Sequence, residues 1–321
     1  METNRSGRQL LLRAYQLGQR IWPDYDSPFS RRDFTQPQLF ACLTVREFFG
    51  LSYRGTEAFL VDVPDWLAEI NLDHPPDHNT LWRAFGKLLK PRRVNRALDL
   101  LATEADDLCG ELSRKPLTID STCYEPRHRS RHYDRVCRKM QKECAEKPDK
   151  SPGKWGKSVN ASRSRKVRSM PKLSLAVAAA SHRILAARAQ LGNGSDVPNF
   201  DPLLSQACRR AKVKIVVADA GYDSEKNHQI ARLDRNVRSI IPPRVGRPSK
   251  KPPTGRFRRL MKQRFARKAD AAWYGQRSQS ETVNSMMKRN LGDCLRSIKP
   301  RRRKQEMLLR SLTHDLMLPV G

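Results

Sequence analysis

Two aspartates in this chain stand directly after short apolar segments. Asp120 follows Leu-Thr-Ile, and Asp219 follows the run Val213–Val217 and opens the sequence Asp-Ala-Gly-Tyr-Asp. Short apolar runs predict buried strands, and open α/β sheets place ligands beyond the carboxyl ends of their strands. Gly221 permits a tight turn beside the second carboxylate. A single aspartate after a strand is more often a turn former or a helix cap than a ligand, so the pair alone does not define a site.

A third acidic residue, Glu281, belongs to a spaced set of polar side chains. Tyr274, Arg277, Glu281 and Lys288 follow one another at intervals of 3, 4 and 7 residues. At about 100° per residue these intervals return each side chain to one stripe of a helix. A solvated helix face with an Arg277–Glu281 pair, which contributes only about 0.2–0.5 kcal/mol, has the same spacing. The spacing by itself leaves both interpretations open.

The combined pattern resembles that of bacterial and archaeal insertion-sequence transposases with an RNase H-like core. Tyr-x2-Arg-x3-Glu-x6-Lys occurs here with Asp-Ser-Thr and Asp-x-Gly-Tyr upstream of it. The segments Phe34–Phe40 and Leu51–Glu57 are similar to the helical amino-terminal region of such enzymes. The resemblance implies an α/β fold in which a mixed, RNase H-like sheet flanked by helices follows an all-α N-terminal domain.

The same resemblance implies roles for individual residues. The catalytic and metal-ligating carboxylates would be Asp120, Asp219 and Glu281. The positions that contact DNA or support the site would be Tyr274, Arg277 and Lys288. The long basic segment after Asp120 departs from the family's pattern and leaves the strand boundaries between Asp120 and Leu173 open.

Three carboxylates suit the chemistry of phosphodiester cleavage and strand transfer. Both steps develop negative charge on oxygens around phosphorus, which divalent cations neutralise directly. Three carboxylates can hold two Mg²⁺ ions roughly 3.5–4 Å apart, and hard oxygen ligands suit Mg²⁺ or Mn²⁺. Arg277 could orient Glu281 or clamp a phosphate, and Lys288, two turns further along, could meet the DNA backbone.

The elements that must position these residues follow from the apolar pattern. The predicted strands are Leu117–Ile119, Leu173–Ala178, Ile184–Ala189, Val213–Val217 and Ser239–Ile241. The helices predicted between the later strands are Asp201–Ala211 and Ser224–Leu233. Strands that precede and then alternate with helices indicate an α/β domain, which we place at residues 113–321 with a basic insert at about 125–170.

Residues 1–112 read as a helical, DNA-binding region. Helices are predicted over Gln38–Phe49, stopped by Gly50, and over about Gly55–Val61, with Pro64 ending the second. A third helix is predicted to begin with capping chemistry at Asn79 and Thr80. The arrangement weakly resembles a helix-turn-helix, in which Arg83 and Lys87 of the last helix would face DNA. A plain helical bundle packed on the next domain is the alternative.

Charge indicates a polyanionic partner. Lys and Arg number 63 against 33 Asp and Glu, which gives a net charge of +30. The basic residues concentrate in 125–170, with 15 Lys or Arg against 5 Asp or Glu, in 243–268, with 11 basic residues and no acidic one, and in Arg301–Lys304. Runs beside suspected catalytic elements favour phosphate binding over plain solvated surface. We expect double-stranded DNA, as element ends and as target, to be the partner.

Cysteine usage and hydropathy limit the cellular compartments that suit this chain. Seven scattered cysteines argue against a disulfide framework and for reduced thiols in a cytoplasm. The resemblance implies a prokaryotic protein associated with the nucleoid. No apolar run approaches the ~20 residues of a spanning helix, and the start of the chain has no apolar signal core. A zinc site at His128, His132, Cys137 and Cys144 is conceivable, but its spacing matches no standard pattern.

Two other functions stay open at this level. The chain could be a decayed transposase that only binds element ends, although acidic residues at all three triad positions argue against decay. It could also be an RNase H-like nuclease without strand transfer, for which the triad alone suffices; the helical N-terminal region and the Tyr-Arg-Glu-Lys spacing favour transposition. The resemblance further implies a homodimer on DNA, since two element ends must be brought together.

Overall fold

The computed structural model describes residues 3–104, 108–126, 170–192, 194–244 and 253–319. Seven helices precede the sheet within this part of the chain: α1 Gly7–Ile21, α2 Gln36–Phe48, α3 Tyr53–Val61, α4 Pro64–Ala68, α5 His78–Leu88, α6 Pro91–Thr103 and α7 Leu108–Arg114. The N-terminal region is therefore helical, as predicted. Helix α1, which precedes the first predicted helix, was missed.

The strands and later helices follow in the predicted alternation. The strands are β1 Leu117–Cys123, β2 Glu125–Pro126, β3 Lys172–Ala178, β4 Ile184–Gln190, β5 Ile215–Ala218, β6 Arg238–Ile240 and β7 Cys294–Leu295. The helices among and after them are α8 Val197–Arg210, α9 Glu225–Gln229, α10 Arg256–Ala266, α11 Ala271–Gly275, α12 Ser278–Leu291 and α13 Pro300–Met317. All five predicted strands are confirmed, with the bounds of β5 and β6 shifted by one or two residues.

The main sheet has the strand order β4-β3-β1-β5-β6, with β2 and β7 paired separately. Strand β1 is antiparallel to β3, which is antiparallel to β4, whereas β1, β5 and β6 run parallel to one another. This mixed five-stranded sheet, with helices against it, is the RNase H-like α/β arrangement that the resemblance implied.

Several local predictions at helix ends were wrong. Asp77, not Asn79 or Thr80, caps α5: its carboxylate accepts from the backbone N–H groups of both residues. Pro64 begins α4, where proline at the first helical position costs no hydrogen bond. Because α4 lies between α3 and α5, these two helices are not joined by the short turn of a helix-turn-helix motif.

Alternation along β3 divides the core between the two faces of the sheet. Leu173, Leu175 and Val177 join one buried cluster with the N-terminal helices, α12 and α13. Ala176 and Ala178 join a second cluster, which α8 covers from the other side. Successive strand side chains point to opposite faces, so both faces of this strand are buried. The N-terminal helices thus share a core with the sheet, and a division at residues 112/113 stays a prediction.

Helix α13 is buried along nearly its whole length. Every residue from Gln305 to Met317 is buried, and the helix packs against β4, α6, α2 and α1. No helix was predicted here from the sequence, which indicated only the basic run Arg301–Lys304. These four residues lie in the first turn of the helix. No helix in the described ranges combines the length and the apolar character needed to cross a membrane.

A buried ionic cluster joins α13 to α2. Arg310 Nε lies 2.8 Å from Glu47 Oε1, and Arg310 Nη2 lies 3.1 Å from Glu306 Oε1. Arg296 and Arg46 contact the Glu47 carboxylate at 2.9 and 3.4 Å. Burial opposes ionisation of Glu47, but the charges of Arg310, Arg296 and Arg46 outweigh it and hold the pKa of Glu47 below its usual value.

The same cluster fixes the chain that follows α12. The Arg310 guanidinium donates to the carbonyls of Gly292 at 2.6 Å and Cys294 at 2.8 Å. The carboxylate of Glu306 accepts from the backbone N–H groups of Arg296 at 2.9 Å and Ser297 at 2.8 Å. Buried backbone groups need such partners, so the turn after α12 is anchored by side chains of α13.

Replacement of Arg310 by Met should destabilise the protein by about 3–5 kcal/mol, because Glu47 and Glu306 are left buried with less compensating charge. The measurement is the free energy of unfolding in urea. The matched control is Arg20→Met, which breaks the half-exposed pair with Glu104 at 2.9 Å and should cost less than about 1 kcal/mol. Equal losses in the two variants would contradict the stabilising role of the cluster.

A second buried carboxyl lies near the end of α13. Asp315 is 1% exposed, and its two oxygens accept from Ile184 N at 3.0 and 3.2 Å. Burial raises the pKa of Asp315 to about 7, although Arg183, Arg210 and Arg13 nearby act in the opposite direction. The folded protein therefore keeps this proton at a pH where the unfolded chain, with a pKa of 3.8 for this group, has lost it.

Stability should consequently fall as pH rises from about 4 to above 7, because the unfolded state binds fewer protons over this window. Asp315→Asn, which mimics the protonated carboxyl, removes that dependence. The difference in unfolding free energy between Asp315→Asn and the native chain should shift in favour of the variant as pH rises from 4 to 8. A difference that stays constant over this range would show that Asp315 is ionised in the folded protein.

Candidate active site

Asp120 and Asp219 lie side by side on neighbouring strands. In the parallel register of β1 and β5, Ile119 is opposite Ala218, and the two aspartates are the next residues on each strand. Strand β5 ends at Ala218, whereas β1 continues beside β3 to Cys123. The prediction that Asp120 ends its strand was therefore wrong. Asp120 is the first residue of β1 beyond the part that pairs with β5. Because β5 ends at Ala218, no described strand pairs with β1 on that side of Asp120.

Alternation along β1 determines which way Asp120 faces. Ile119 packs in the cluster covered by α8, so Asp120 points to the other face, where α12 lies. Asn284 of α12 donates from Nδ2 to Asp120 Oδ2 at 3.3 Å. Asp219 is exposed, and its Oδ1 accepts from Ala220 N at 2.6 Å, so it also forms the turn that a strand-end aspartate commonly forms.

Helix α12 presents Glu281 to the same place. Val283, Met287 and Leu291 are buried against the sheet, and Gly292, with φ +90°, ends the helix. Glu281 lies in the first turn, where the helix dipole favours a negative charge. A cleft of about 580 Å³ separates α12 from β1 and is lined, among others, by Asp120, Ser121, Glu281, Asn284, Lys288 and Arg289.

The four spaced residues do not share one helix. Tyr274 belongs to α11, the chain turns at Gln276, and Arg277 is the residue before α12. The prediction of a single helical stripe was therefore wrong for Tyr274. Arg277 Nη2 nevertheless pairs with Glu281 Oε1 at 2.5 Å, and the Arg277 guanidinium lies 5.9 Å from the centre of the Tyr274 ring.

Burial disfavours ionisation of Asp120. Burial is the main cause that raises the pKa of Asp120 to about 6, and the charges of Asp219 and Glu281 add to it. The Arg277 charge and the backbone N–H of Ser121 act in the opposite direction. A cation bound beside Asp120 would favour its ionised form and offset the cost of burial.

An ion pair that was not predicted supports both aspartate strands from the α8 side. Lys172 Nζ lies 2.5 Å from Asp196 Oδ1, and the Lys172 side chain is 5% exposed. Ser121, the neighbour of Asp120, donates to Asp196 Oδ1 at 3.1 Å. A Cβ on Gly221 would lie 3.1 Å from Asp196 Oδ2, so the turn after Asp219 rests on the same carboxylate. No local pattern indicates this pair, because Lys172 and Asp196 lie on separate elements of the chain.

Two acidic residues that follow Asp219 form hydrogen bonds with the basic segment 243–268. Asp223 accepts from Arg244 N at 2.9 Å and from Arg258 Nη2 at 2.8 Å, and His228 adjoins it. The hydrogen bonds of His228 and Arg258 outweigh burial and place the pKa of Asp223 well below its usual value. Glu225 caps the start of α10 through the backbone N–H groups of Phe257 and Arg258.

Lys288 lies on the cleft side of α12 and close to the buried ionic cluster. Its ammonium lies 5.6 Å from the centre of the Tyr124 ring, and the Arg310 guanidinium lies 5.1 Å from that ring. Arg289 lines the cleft beside it. Two cations thus border the carboxylates, where a phosphate group could meet them.

The donor set suits a hard divalent cation, although the groups are not gathered around one point. Within the described ranges, no three carboxylate, histidine or cysteine groups lie close enough together to hold a metal ion. Glu281 is paired with Arg277, and its side chain is 54% exposed. Carboxylate oxygens are the ligands that Mg²⁺ and Mn²⁺ prefer.

Comparison with known families decides the affiliation. The profile of the family described as transposase DDE domain matches residues 114–316, which include Asp120, Asp219 and Glu281. This chain belongs to that family. No curated protein and no solved structure matches the chain significantly. A member of the DDE transposase family is an enzyme of DNA transposition and acts on DNA.

The remaining predicted residues of this DDE transposase lie away from the cleft or outside the described part. Arg83 and Lys87 are exposed on α5, and Lys87 Nζ pairs with Asp26 Oδ2 at 2.6 Å. The zinc candidates, His128, His132, Cys137 and Cys144, lie outside the described residues, as does most of the basic insert at 125–170. The DNA-contacting roles of Arg83 and Lys87 stay predictions.

Replacement of Asp196 by Asn should destabilise the transposase by about 3 kcal/mol, because the Lys172 ammonium is left buried without a compensating charge. The readout is the free energy of unfolding. The double variant Lys172→Met with Asp196→Asn should recover a large part of the loss, since it removes the unpaired charge. An Asp196→Asn variant as stable as the native chain would exclude a supporting role for this ion pair.

Proposed function

We propose that this chain cuts DNA at the terminal inverted repeats of an insertion sequence and transfers the resulting 3′ ends to target DNA, with Asp120, Asp219 and Glu281 as its catalytic carboxylates. The observation that carries the proposal is the register of β1 and β5, which sets Asp120 beside Asp219. Strand β1 packs against the helix that presents Glu281. Family membership supports transposition as the overall process.

The carboxylates would act as metal ligands. Asp120 and Asp219 would hold divalent ions from the sheet side, and Glu281 would close the site from α12. When bound, two Mg²⁺ or Mn²⁺ ions would lower the pKa of the attacking oxygen and neutralise charge on the leaving oxygen. Glu281 is paired with Arg277 in this structure. The pair keeps the carboxylate beside the cleft; if Glu281 turned to a metal ion, Arg277 would be free to bind a DNA phosphate.

The cations of the cleft would position the scissile phosphate. Lys288 and Arg289 project from the last turns of α12, on the side that borders Asp120. An ammonium on a flexible stem supplies a point charge for a phosphate, whereas a guanidinium can bind two of its oxygens. The expectation is that Lys288 contributes mainly to binding of the element end and the carboxylates mainly to the chemical step.

The test is cleavage of a labelled duplex that carries the element's own terminal repeats, with Mg²⁺ or with EDTA. Asp219→Asn and Glu281→Gln should each lower Mg²⁺-dependent nicking at the repeat boundary by ~10²–10³-fold or more, because a ligand charge at the reacting centre is lost. Binding of the duplex should persist in both variants. The matched control is Asp234→Asn, an exposed aspartate outside the cleft, which should cleave normally.

Three results would contradict the proposal. Undiminished nicking by Glu281→Gln would remove Glu281 from the triad. Binding by the native chain without any cutting would leave a DNA-binding protein. Nicking followed by no joining of 3′ ends to a supplied target duplex would leave a metal-dependent nuclease.

A further inference from the structure

A basic and aromatic cluster lies where α5 meets the start of α13. Trp82 is 42% exposed, and the Arg302 guanidinium lies 4.8 Å from the centre of its ring. The Lys299 ammonium lies 5.6 Å from the same ring. Cations at this distance are attracted by the ring's electrons, so the indole holds both charges in place. We call Trp82, Gly86, Lys299, Arg301 and Arg302 the Trp82 cluster.

Gly86 makes room for one of these cations. A Cβ built on Gly86 would lie 2.5 Å from the terminal carbon and both terminal nitrogens of Arg302, so the guanidinium rests directly on the glycine. Arg302 Nη1 is buried and has no hydrogen-bond partner among the described residues. A guanidinium that is fixed by packing but not hydrogen-bonded can bind an acceptor with little loss of side-chain entropy.

The Trp82 cluster is connected to the active-site cleft by a row of adjoining depressions. The cleft shares Asp293 with a second depression, which shares Gly50 and Arg296 with a third. The third is lined by Trp82, Lys299 and Arg302 and merges with a fourth at the same residues. One continuous surface therefore leads from α12 across the turn after it to the start of α13.

Charge along this surface is mostly uncompensated. Over the described ranges, no carboxylate pairs with Lys288, Arg289, Lys299, Arg301 or Arg302. Arg296, midway along it, is the exception, since it contacts Glu47. Unpaired cations at both ends of one track fit a partner with regularly spaced negative charge. Duplex DNA, with phosphates along both strands, is such a partner.

We propose that the Trp82 cluster binds the phosphate backbone of the duplex that flanks the cleavage site, with Arg302 as the principal contact. The proposal rests on the proposed function, since it assumes that the scissile phosphate lies at Asp120 and Asp219. It adds a second, distant contact that fixes the direction of the duplex across the protein. Arg83, on the same helix as Trp82, borders the cluster and extends the contact.

Fluorescence anisotropy with two duplexes tests this. One duplex ends just beyond the cleavage site, and the other continues along the flanking DNA. Arg302→Ala should weaken binding of the long duplex by about 5–10-fold and lower its logarithmic salt slope by about 1, as expected for one lost phosphate contact, and should change binding of the short duplex much less. Gly86→Ala leaves the charge unchanged but displaces the Arg302 guanidinium. It should therefore also weaken binding of the long duplex.

The matched control is Arg209→Ala, which removes an equal charge from an exposed position on α8, on the opposite side of the sheet. It should leave binding of both duplexes close to native. Equal losses for Arg209→Ala and Arg302→Ala, or equal losses on the short and long duplexes, would overturn the proposal. Unfolding curves of each variant confirm that the fold is intact.

The outcome separates this proposal from the catalytic one. Binding that depends on Arg302 and on duplex length, in a protein that does not nick DNA, would keep the Trp82 cluster and discard the catalytic assignment. Nicking that depends on Asp219 and Glu281, without an effect of Arg302 on the long duplex, would discard the cluster alone.

Discussion

Burial of Arg310 between two glutamates is the constraint on which the arrangement of this transposase depends. The guanidinium spans Glu47 on α2 and Glu306 on α13, and it also binds the carbonyls of Gly292 and Cys294. A charge buried this deeply is tolerated only if every partner stays in place, so the cluster links the N-terminal helices, the C-terminal helix and the end of α12. The helix that carries Glu281 is thus held at its far end by residues outside the cleft.

The alternation of side chains along β1 sets the direction of the groups at the cleft. Because side chains alternate along β1, Asp120 faces α12 and its cleft, whereas Ser121 faces α8 and the Lys172–Asp196 pair. One strand therefore supplies a carboxylate to the cleft on one face and the support of its neighbour on the other. Asp196 also adjoins Gly221, so the turn that presents Asp219 rests on the same carboxylate. Small shifts in this pair would move both aspartates together.

The large positive charge is divided by environment. Arg310, Arg296 and Arg258 are paired with buried carboxylates and hold segments together. Lys288, Arg289, Lys299 and Arg302 line a surface without such partners in the part of the chain that the structure describes. Net charge alone does not distinguish these two groups. The difference decides which cations are available to DNA, since a guanidinium engaged with a buried carboxylate is costly to withdraw.

The sequence by itself predicted the α/β class and the five main strands, because apolar periodicity is a local property of the chain. The three carboxylates were assigned from the resemblance of their motifs to the family's pattern, and their catalytic roles stay predictions. The placement of Asp120 within β1, beside the end of β5, was not predicted from the strand ends. Helix α13, by contrast, is buried on all sides and therefore lacks the one-sided apolar pattern that identifies surface helices. The cap at Asp77 and the break between Tyr274 and Arg277 are local features that the residue pattern did not distinguish. The Lys172–Asp196 pair and the contact of Arg302 with Gly86 depend on which distant segments meet. Only the tertiary structure decides such contacts, since their partners are remote in sequence and their energies come from shared burial.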